Sequence, residues 1–131
     1  MDIKKLTIND TYVDRLIETN DITKEDLIVF TEDVYTKNFF TAKKIGRRHI
    51  LAKVIEQSCG EKHISFTLGV IECIGTNAEE IIKKKEIRRR EKTIFKFKVY
   101  RQLWNNEINR CYLLDNQFLY KEQIANNIQL A

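Results

Sequence analysis

The chain has 131 residues, of which 43% are hydrophobic and 32% charged, and its formal net charge is +4. These values exclude a disordered segment and predict a single domain spanning residues 1–131. No apolar run approaches the roughly 20 residues that a membrane-spanning helix needs, and the first residues lack the apolar core of a signal peptide. Because the three cysteines include no CxxC pair, a disulfide framework is not expected, and we predict a cytoplasmic protein without a membrane partner.

The first third of the chain is predicted to be helical. Asn9-Asp10 precedes apolar residues at helical spacing, and Thr23 followed by Asp26 is a variant of the capping box. A further acidic start signal precedes Val34 and the aromatic residues that follow it. We therefore expect two short helices before residue 31 and a third helix over about residues 32–41.

A β-hairpin is predicted next. From Arg47 to Ile55 apolar residues occupy both alternating sets of positions, which is typical of a strand that is buried on both faces. Residues 58–61 contain Gly60, which tolerates the positive φ of a tight turn. The segment from His63 to Glu72 then forms the returning strand.

One helix and three strands complete the predicted order. Thr76 and Asn77 each precede a glutamate by three residues, so they start a helix that continues to about Lys85 or Ile87. The remaining strands are predicted at residues 95–100, 108–114 and 117–123, with turns at residues 104–107 and 115–116. Connections this short force neighbouring strands to be antiparallel. The sequence therefore predicts an α+β fold: an antiparallel sheet of about five strands with helices packed on one face.

The most strongly charged segment lies between Lys83 and Lys92. It holds seven basic and two acidic residues, a local charge of +5. Such a cluster is the electrostatic footprint of a nucleic-acid site, and Phe95 and Phe97 then alternate with lysines as in a strand that stacks bases. The alternative is a solvated helix face followed by a half-buried core strand. In that reading, which the sequence favours, the cations pair with Glu79, Glu80, Glu86 and Glu91.

Residues that carry chemistry are sparse. His49 and His63 fall on the two strands of the predicted hairpin, where they could face each other, but no cysteine or carboxylate has metal-ligand spacing with them. We therefore expect no metal site. Arg48 opens a predicted strand and can grip a carboxylate with two hydrogen bonds. Glu122, near the end of the last predicted strand, can move protons if it faces the core. Each of these two residues has a plain alternative as a surface charge.

Four stretches of the chain carry a family resemblance. They are the acidic segment at residues 32–39, the arginine-led hairpin at residues 48–70, the helix and arginine-rich segment at residues 80–91, and the closing hairpin at residues 103–122. In this order they resemble the chorismate pyruvate-lyase family and its ligand-binding relatives, the UTRA domains of GntR-type regulators. The resemblance covers roughly residues 27–124.

The resemblance implies a cofactor-free carbon–oxygen lyase that releases pyruvate from chorismate and leaves 4-hydroxybenzoate. It implies that Arg48 binds a substrate carboxylate and that Glu122 assists proton transfer. It also implies that Ala78 offers a backbone N–H at the start of a helix and that Tyr35 lines the pocket. Because chorismate is a dicarboxylate, it needs cationic or N–H partners at both ends.

Three functions remain open at this level. The first is the lyase. The second is a module of the same fold, similar to UTRA domains, that binds a small carboxylate and performs no chemistry. The third is a nucleic-acid-binding protein that uses the segment from Lys83 to Lys98. A surface that only binds another protein is a further possibility, and the sequence does not indicate an oligomeric state.

Overall fold

The computed structural model describes residues 15–37 and 40–114, which form an antiparallel sheet with short helices. In chain order the elements are β1 (Leu16–Thr19), β2 (Leu27–Tyr35), β3 (Lys44–Cys59), β4 (Ile64–Gly75), α1 (Ala78–Lys84), β5 (Glu86–Arg90), α2 (Glu91–Ile94) and β6 (Val99–Gln102). Residues 107–114 are also helical and are named α3. The helix start predicted at Asn9-Asp10 and the last predicted strand, which contains Glu122, lie outside the described residues.

The sheet confirms the predicted α+β class. Its strands follow the order β1-β6-β2-β3-β4-β5, and every neighbouring pair is antiparallel. The predicted hairpin is confirmed as β3 and β4, which turn at Gly60, where the Gly60 N–H donates to the His63 carbonyl over 2.9 Å. The described part of the chain thus contributes six strands, compared with about five expected, and β1 and β5 form the edges of this sheet.

Where the structure describes the chain before the hairpin, the predicted helices are wrong, because residues 16–19 and 27–35 form β1 and β2. Asp26 does accept a hydrogen bond from the Thr23 N–H over 2.9 Å, as in a capping box, but the two residues form a buried turn that leads into β2. The predicted helix over residues 32–41 is replaced by the second half of β2. That strand pairs with β3 on one side and β6 on the other, so tertiary pairing overrides the local helical signals.

The second half of the chain also departs from the predicted order after α1. That helix ends as expected near Lys85, whose φ of 61° interrupts it. The strand predicted at residues 95–100 begins only at Val99, because α2 and a loop precede it. Residues 107–114 are helical instead of extended: the Asn106 Oδ1 accepts from the N–H groups of Ile108 and Asn109, which caps the helix.

Two apolar clusters lie on opposite faces of the sheet. The larger contains Ile28 and Phe30 of β2 together with Ile81 of α1 and Ile94 of α2, so both helices pack on this face, as predicted. The smaller cluster includes Val29 and partly buried residues that pack against it. Because side chains alternate along a strand, Glu32 follows Ile28 and Phe30 on the helix face, and Asp33 follows Val29 on the opposite face.

A buried network joins α3 to the turn before β2. The Asp26 carboxylate accepts from Arg110 Nε over 2.9 Å and from Trp104 Nε1 over 2.7 Å, and Arg110 also donates to Asp21 Oδ1 over 2.9 Å. Asp26 is fully buried and Arg110 is 4% exposed. Because the two residues bind each other, neither charge is buried without a partner. Within residues 15–37 and 40–114 no helix is long and apolar enough to cross a membrane.

Candidate functional site

Glu32 is the centre of a buried ion cluster on the helix face. Arg48, its register partner on β3, donates through Nε to Glu32 Oε1 over 2.8 Å. Arg89 on β5 donates through Nε to Oε2 over 2.8 Å and through Nη2 to Oε1 over 3.1 Å. Burial by itself would raise the pKa of this carboxyl, but the hydrogen bonds and charges of Arg89 and Arg48 hold the pKa below its usual range. Glu32 is therefore an ionised partner for both guanidinium groups.

The same cluster brings Arg48 next to the start of α1. Gly75, with φ of 119°, lies so close to β3 that a Cβ there would be 2.5 Å from a backbone oxygen, and it turns the chain into α1. Arg48 Nη1 then lies 3.5 Å from the carbonyl oxygen of Asn77, and Ala78 follows, half-buried against the core. The Arg48 side chain is only 12% exposed and one edge is held by Glu32, so its guanidinium is already matched by a carboxylate of the protein.

Of the other two predicted site residues, the structure describes only Tyr35, and Tyr35 does not join this group. Tyr35 ends β2, is 49% exposed, and adjoins Lys96, which belongs to a different ion cluster. Glu122 lies outside the described residues. The structure thus places Arg48 and Ala78 together, and it places Tyr35 elsewhere.

The basic segment from Lys83 to Lys92 spans three elements instead of one helix. Lys83 and Lys84 end α1, Lys85 caps it, β5 carries the three arginines, and α2 begins at Glu91. Among the residues that the structure describes, no salt bridge joins a cation of this segment to Glu79, Glu80, Glu86 or Glu91. Glu80 instead binds Lys37, with Nζ 2.7 Å from Oε1, and lies 4.0 Å from Arg48 Nη1.

Six of the seven cations in this segment are exposed: Lys83, Lys84, Lys85, Arg88, Arg90 and Lys92. Across the residues that the structure describes, none of the six has a carboxylate oxygen within the 4.0 Å of a salt bridge. The seventh, Arg89, binds Glu32. Arg88 donates to the neutral hydroxyl of Ser65 over 3.0 Å and keeps its charge unmatched. The edge strand and the residues flanking it therefore present a concentrated, uncompensated positive charge.

Asp33 gathers a second group of cations on the opposite face. Its carboxylate accepts from Lys96 Nζ over 2.7 Å and from Arg47 Nε over 3.1 Å, and Lys44 Nζ lies 3.0 Å away. The hydrogen bonds of Lys96 and Lys44 hold the pKa of Asp33 well below its usual range. The guanidinium carbon of Arg47 also lies 4.3 Å from the ring centroid of Phe97, a cation–π contact. Asp33 thus fixes two cations beside an aromatic ring.

An open cleft of about 450 Å³ lies beside the Asp33 cluster. It is lined by Val29, Thr31, Arg47, His49, Phe97, Lys98 and Tyr100. His49 Nδ1 lies 2.7 Å from Thr31 Oγ1, and burial lowers the pKa of His49, so its imidazole is neutral near pH 7. The cleft therefore combines aromatic walls, neutral hydrogen-bonding groups and a cationic rim.

No group of three or more histidine, cysteine or acidic residues is placed to hold a metal ion within the described residues. His49 lies opposite Ile74 on β4, and His63 lies in the turn of the hairpin, so the two histidines do not face each other as the sequence suggested they could. Cys73 is 3% exposed, and burial raises the pKa of its thiol to about 11, which keeps it protonated.

Sequence reasoning missed the carboxylates that organise both clusters. The acidic start signal assigns Glu32 and Asp33 to a helix. In a strand the two side chains lie on opposite faces, and the helix assignment did not predict this. The alternating pattern Ile28, Phe30 and Val34 is the signal that could have revealed β2. With β2 recognised, the pairing of Glu32 with an arginine of the next strand becomes a testable expectation.

Comparison with known proteins gives one match. A family model described as "Domain of unknown function (DUF7699)" matches residues 23–104, and no curated protein or solved structure matches the chain. Both ends of the matched region bind the same side chain, because the Thr23 N–H and the Trp104 indole each donate to Asp26. The match contains the whole sheet except β1, both ion clusters and the basic segment. The chain belongs to the DUF7699 family of domains.

Proposed function

We propose that this protein is a nucleic-acid-binding module and that the basic stretch, defined as residues 83–98, contacts phosphate groups. The observation that carries the proposal is the set of six exposed cations between Lys83 and Lys92 that have no carboxylate partner among the described residues. Clustered like charges repel one another on a protein surface, and the phosphates of a nucleic acid relieve that repulsion while releasing counterions.

The alternative account of the same segment rests on ion pairs between its cations and nearby glutamates, and none of these pairs is a salt bridge within residues 15–37 and 40–114. A solvated helix face would spread its lysines and neutralise them with glutamates one turn away. Here α1 ends at Lys84, the arginines continue in an edge strand, and Glu80 turns to Lys37. The positive charge is concentrated at one edge of the sheet, where a polyanion can reach several cations at once.

Binding measured at several salt concentrations tests the proposal. A fluorescently labelled oligonucleotide is titrated with protein, and we expect log K to fall linearly with log salt concentration. The variant Arg88→Gln/Arg90→Gln removes two unmatched cations but keeps Arg89, which holds Glu32. It should bind more weakly at low salt and show a shallower salt dependence, by about one unit of slope for each phosphate that is no longer neutralised.

The matched control removes the same charge elsewhere. Lys24 and Lys53 are exposed and lie outside the basic stretch, so Lys24→Gln/Lys53→Gln changes the net charge equally. This control should bind nearly as well as the wild type. No binding at about 50 mM salt, where electrostatic association is strong, would contradict the proposal. Equal losses in both variants would show attraction to net charge without a site.

Lyase activity on chorismate stays a second proposal, and one contact favours it. The Arg48 guanidinium lies beside the start of α1, so Arg48 and Ala78, to which the resemblance assigns substrate contacts, are near each other. Against this stands the salt bridge from Arg48 to Glu32. A coupled assay for pyruvate release from chorismate tests activity, with Glu122→Ala and Arg48→Ala as the variants expected to lose it. Turnover absent at high protein concentration would remove this proposal.

A non-catalytic site for a small carboxylate would give a different result in the same samples. Binding without chemistry predicts that chorismate or 4-hydroxybenzoate raises the melting temperature while no pyruvate forms. Arg48→Ala should abolish that rise. Unchanged melting temperatures at millimolar ligand would count against Arg48 as a carboxylate receptor.

A further inference from the structure

Three open clefts adjoin one another along the basic stretch. The first, of about 290 Å³, is lined by residues that include Lys62, Arg90 and Lys92. The second, of about 960 Å³, shares Lys92 with the first. It shares Phe97 and Lys98 with the third, which is the 450 Å³ cleft beside Asp33. The shared residues place the three clefts in a series from the β3–β4 turn past α2 to the opposite face of the sheet, and this series is named here the track.

Aromatic side chains occur along the same path as the cations. Phe95 and Phe97 line the second cleft, and Phe97 and Tyr100 line the third. All three rings are half-buried, so each is fixed by packing while part of it faces the cleft. Arg47 lies over Phe97 and extends this surface with a planar guanidinium group, on which a base can also stack.

The charge of the track favours a polyanion. Six cations line it or its rim: Lys62, Arg90, Lys92, Lys96, Lys98 and Arg47. Three carboxylates lie beside them, Glu18 and Glu91 in the second cleft and Asp33 behind the third. Asp33 holds Lys96 and Arg47 in place without cancelling both charges, because it carries one negative charge and contacts three cations. The positive excess therefore follows the path and is not confined to the edge strand.

From these features we propose that the track binds single-stranded nucleic acid, with phosphates at the cations and bases stacked at Phe97 and Tyr100. The inference rests on the proposed function and specifies its ligand. Paired bases of a duplex are stacked on each other and cannot enter a cleft edge-on to meet an aromatic ring, whereas unpaired bases can. The phosphates of a duplex can still reach the exposed arginines of β5. Single strands and duplexes therefore share the electrostatic contribution to binding, and only single strands add base stacking.

Competition between strands of equal charge tests this ligand. We expect the wild type to bind a single-stranded oligonucleotide at least about 10-fold more tightly than a duplex with the same number of phosphates, since only unpaired bases can stack on the aromatic rings. Phe97→Leu should weaken single-strand binding about 10-fold and leave duplex binding unchanged. Tyr112→Leu is the control, because Tyr112 is 67% exposed on α3 and lines none of the three clefts.

A second variant protects the test against a loss of folding. Arg47→Lys keeps the charge and its proximity to Asp33 but removes the planar group over Phe97. It should also reduce the preference for single strands. An oligonucleotide with abasic sites, which has phosphates but lacks bases, should bind the wild type and Phe97→Leu equally.

The possible results separate this inference from the proposed function. Single strands and duplexes could bind equally, with a salt dependence that Arg88→Gln/Arg90→Gln reduces. In that case the protein binds nucleic acid, but the track has no preference for single strands. If Phe97→Leu lowers the affinity for both ligands alike, stacking is also excluded. If neither ligand binds at low salt, both proposals fail. A single-strand preference lost in Phe97→Leu and retained in Tyr112→Leu supports both.

Discussion

Glu32 and Asp33 are consecutive carboxylates on β2 with opposite environments. Glu32 faces the helix side, where its side chain is 7% exposed and its two arginine partners are 12% and 21% exposed. Asp33 faces the other side, where Lys44, Arg47 and Lys96 are each about half exposed. The Asp33 side chain is itself only 6% exposed, so the two carboxylates are equally shielded and the difference lies in their cations, which are withdrawn from solvent around Glu32 and half exposed around Asp33. This difference follows from the alternation of side chains along a strand.

The two clusters use their cations differently. Around Glu32, the guanidinium groups are withdrawn from solvent and turned toward a carboxylate that neutralises them in part. Around Asp33, ammonium and guanidinium groups remain accessible, and one of them stacks on Phe97. Glu32 is therefore expected to contribute mainly to stability and Asp33 mainly to the shape and charge of the track. The following predictions test that division, beginning with the largest effect.

Glu32→Gln should lower the free energy of unfolding by about 3 kcal/mol, because it leaves two poorly solvated guanidinium groups without their carboxylate. Urea unfolding followed by circular dichroism measures the change, and the slope with urea should stay constant if only stability is altered. Asp33→Asn is the matched control, and its midpoint should shift much less. Equal shifts of the urea midpoint in the two variants would mean that the burial of the arginines around Glu32 makes no difference to stability.

Acid should weaken the fold through Glu32. The pKa of Glu32 is lowered in the folded protein, so the unfolded chain binds the proton more readily. The stabilisation is complete above the ordinary pKa of glutamate, about 4.3, and is lost as the pH falls through the lower folded pKa. Stability measured from pH 7 down to pH 3 should therefore fall less steeply in Glu32→Gln than in the wild type. Parallel curves for the two proteins would show that Glu32 does not titrate with folding.

Salt should separate the two carboxylates. The pKa of Asp33 is lowered by exposed lysines, and at about 1 M salt the screening length is only about 3 Å. High salt should therefore reduce the difference in stability between wild type and Asp33→Asn. The difference between wild type and Glu32→Gln should persist, because that cluster is withdrawn from solvent. Urea midpoints at low and high sodium chloride measure both differences, and a loss of the Glu32 effect in salt would contradict its burial.

The sequence predicted the fold more fully than the site, and the reasons are physical. The β3–β4 hairpin and α1 were predictable because their signals are local: apolar strands flank the turn at Gly60, and Thr76 and Asn77 precede α1, although Asn77 makes no side-chain cap hydrogen bond. β2 was not predictable in the same way, since its acidic residues resemble a helix start and only pairing with β3 and β6 makes it a strand. The basic segment was visible as charge, but its division into three elements depends on Lys85, whose positive φ ends α1.

The site residues show the same division between local and distant information. Arg48 could be identified as a strand-opening arginine, but its partner Glu32 lies 16 positions away, and the sheet also brings Arg89, the other arginine that binds Glu32, from 41 positions away. The track is still less local, because it combines the β3–β4 turn, α2 and β6. Whether Phe95 and Phe97 belong to the core or to a binding surface depends on the loop that carries them, which replaces the predicted strand.

Lys53→Gln should have the smallest effect, although its ion pair is as short as those of Glu32. Lys53 Nζ lies 2.8 Å from Glu25 Oε2, but the two side chains are 50% and 49% exposed. Water solvates both charges and screens their attraction, so the loss of stability should stay below about 0.5 kcal/mol. Because the same residue is part of the charge control for nucleic-acid binding, the variant should match the wild type in both urea unfolding and affinity. A large loss in either measurement would show that exposure alone does not separate structural from functional charges in this domain.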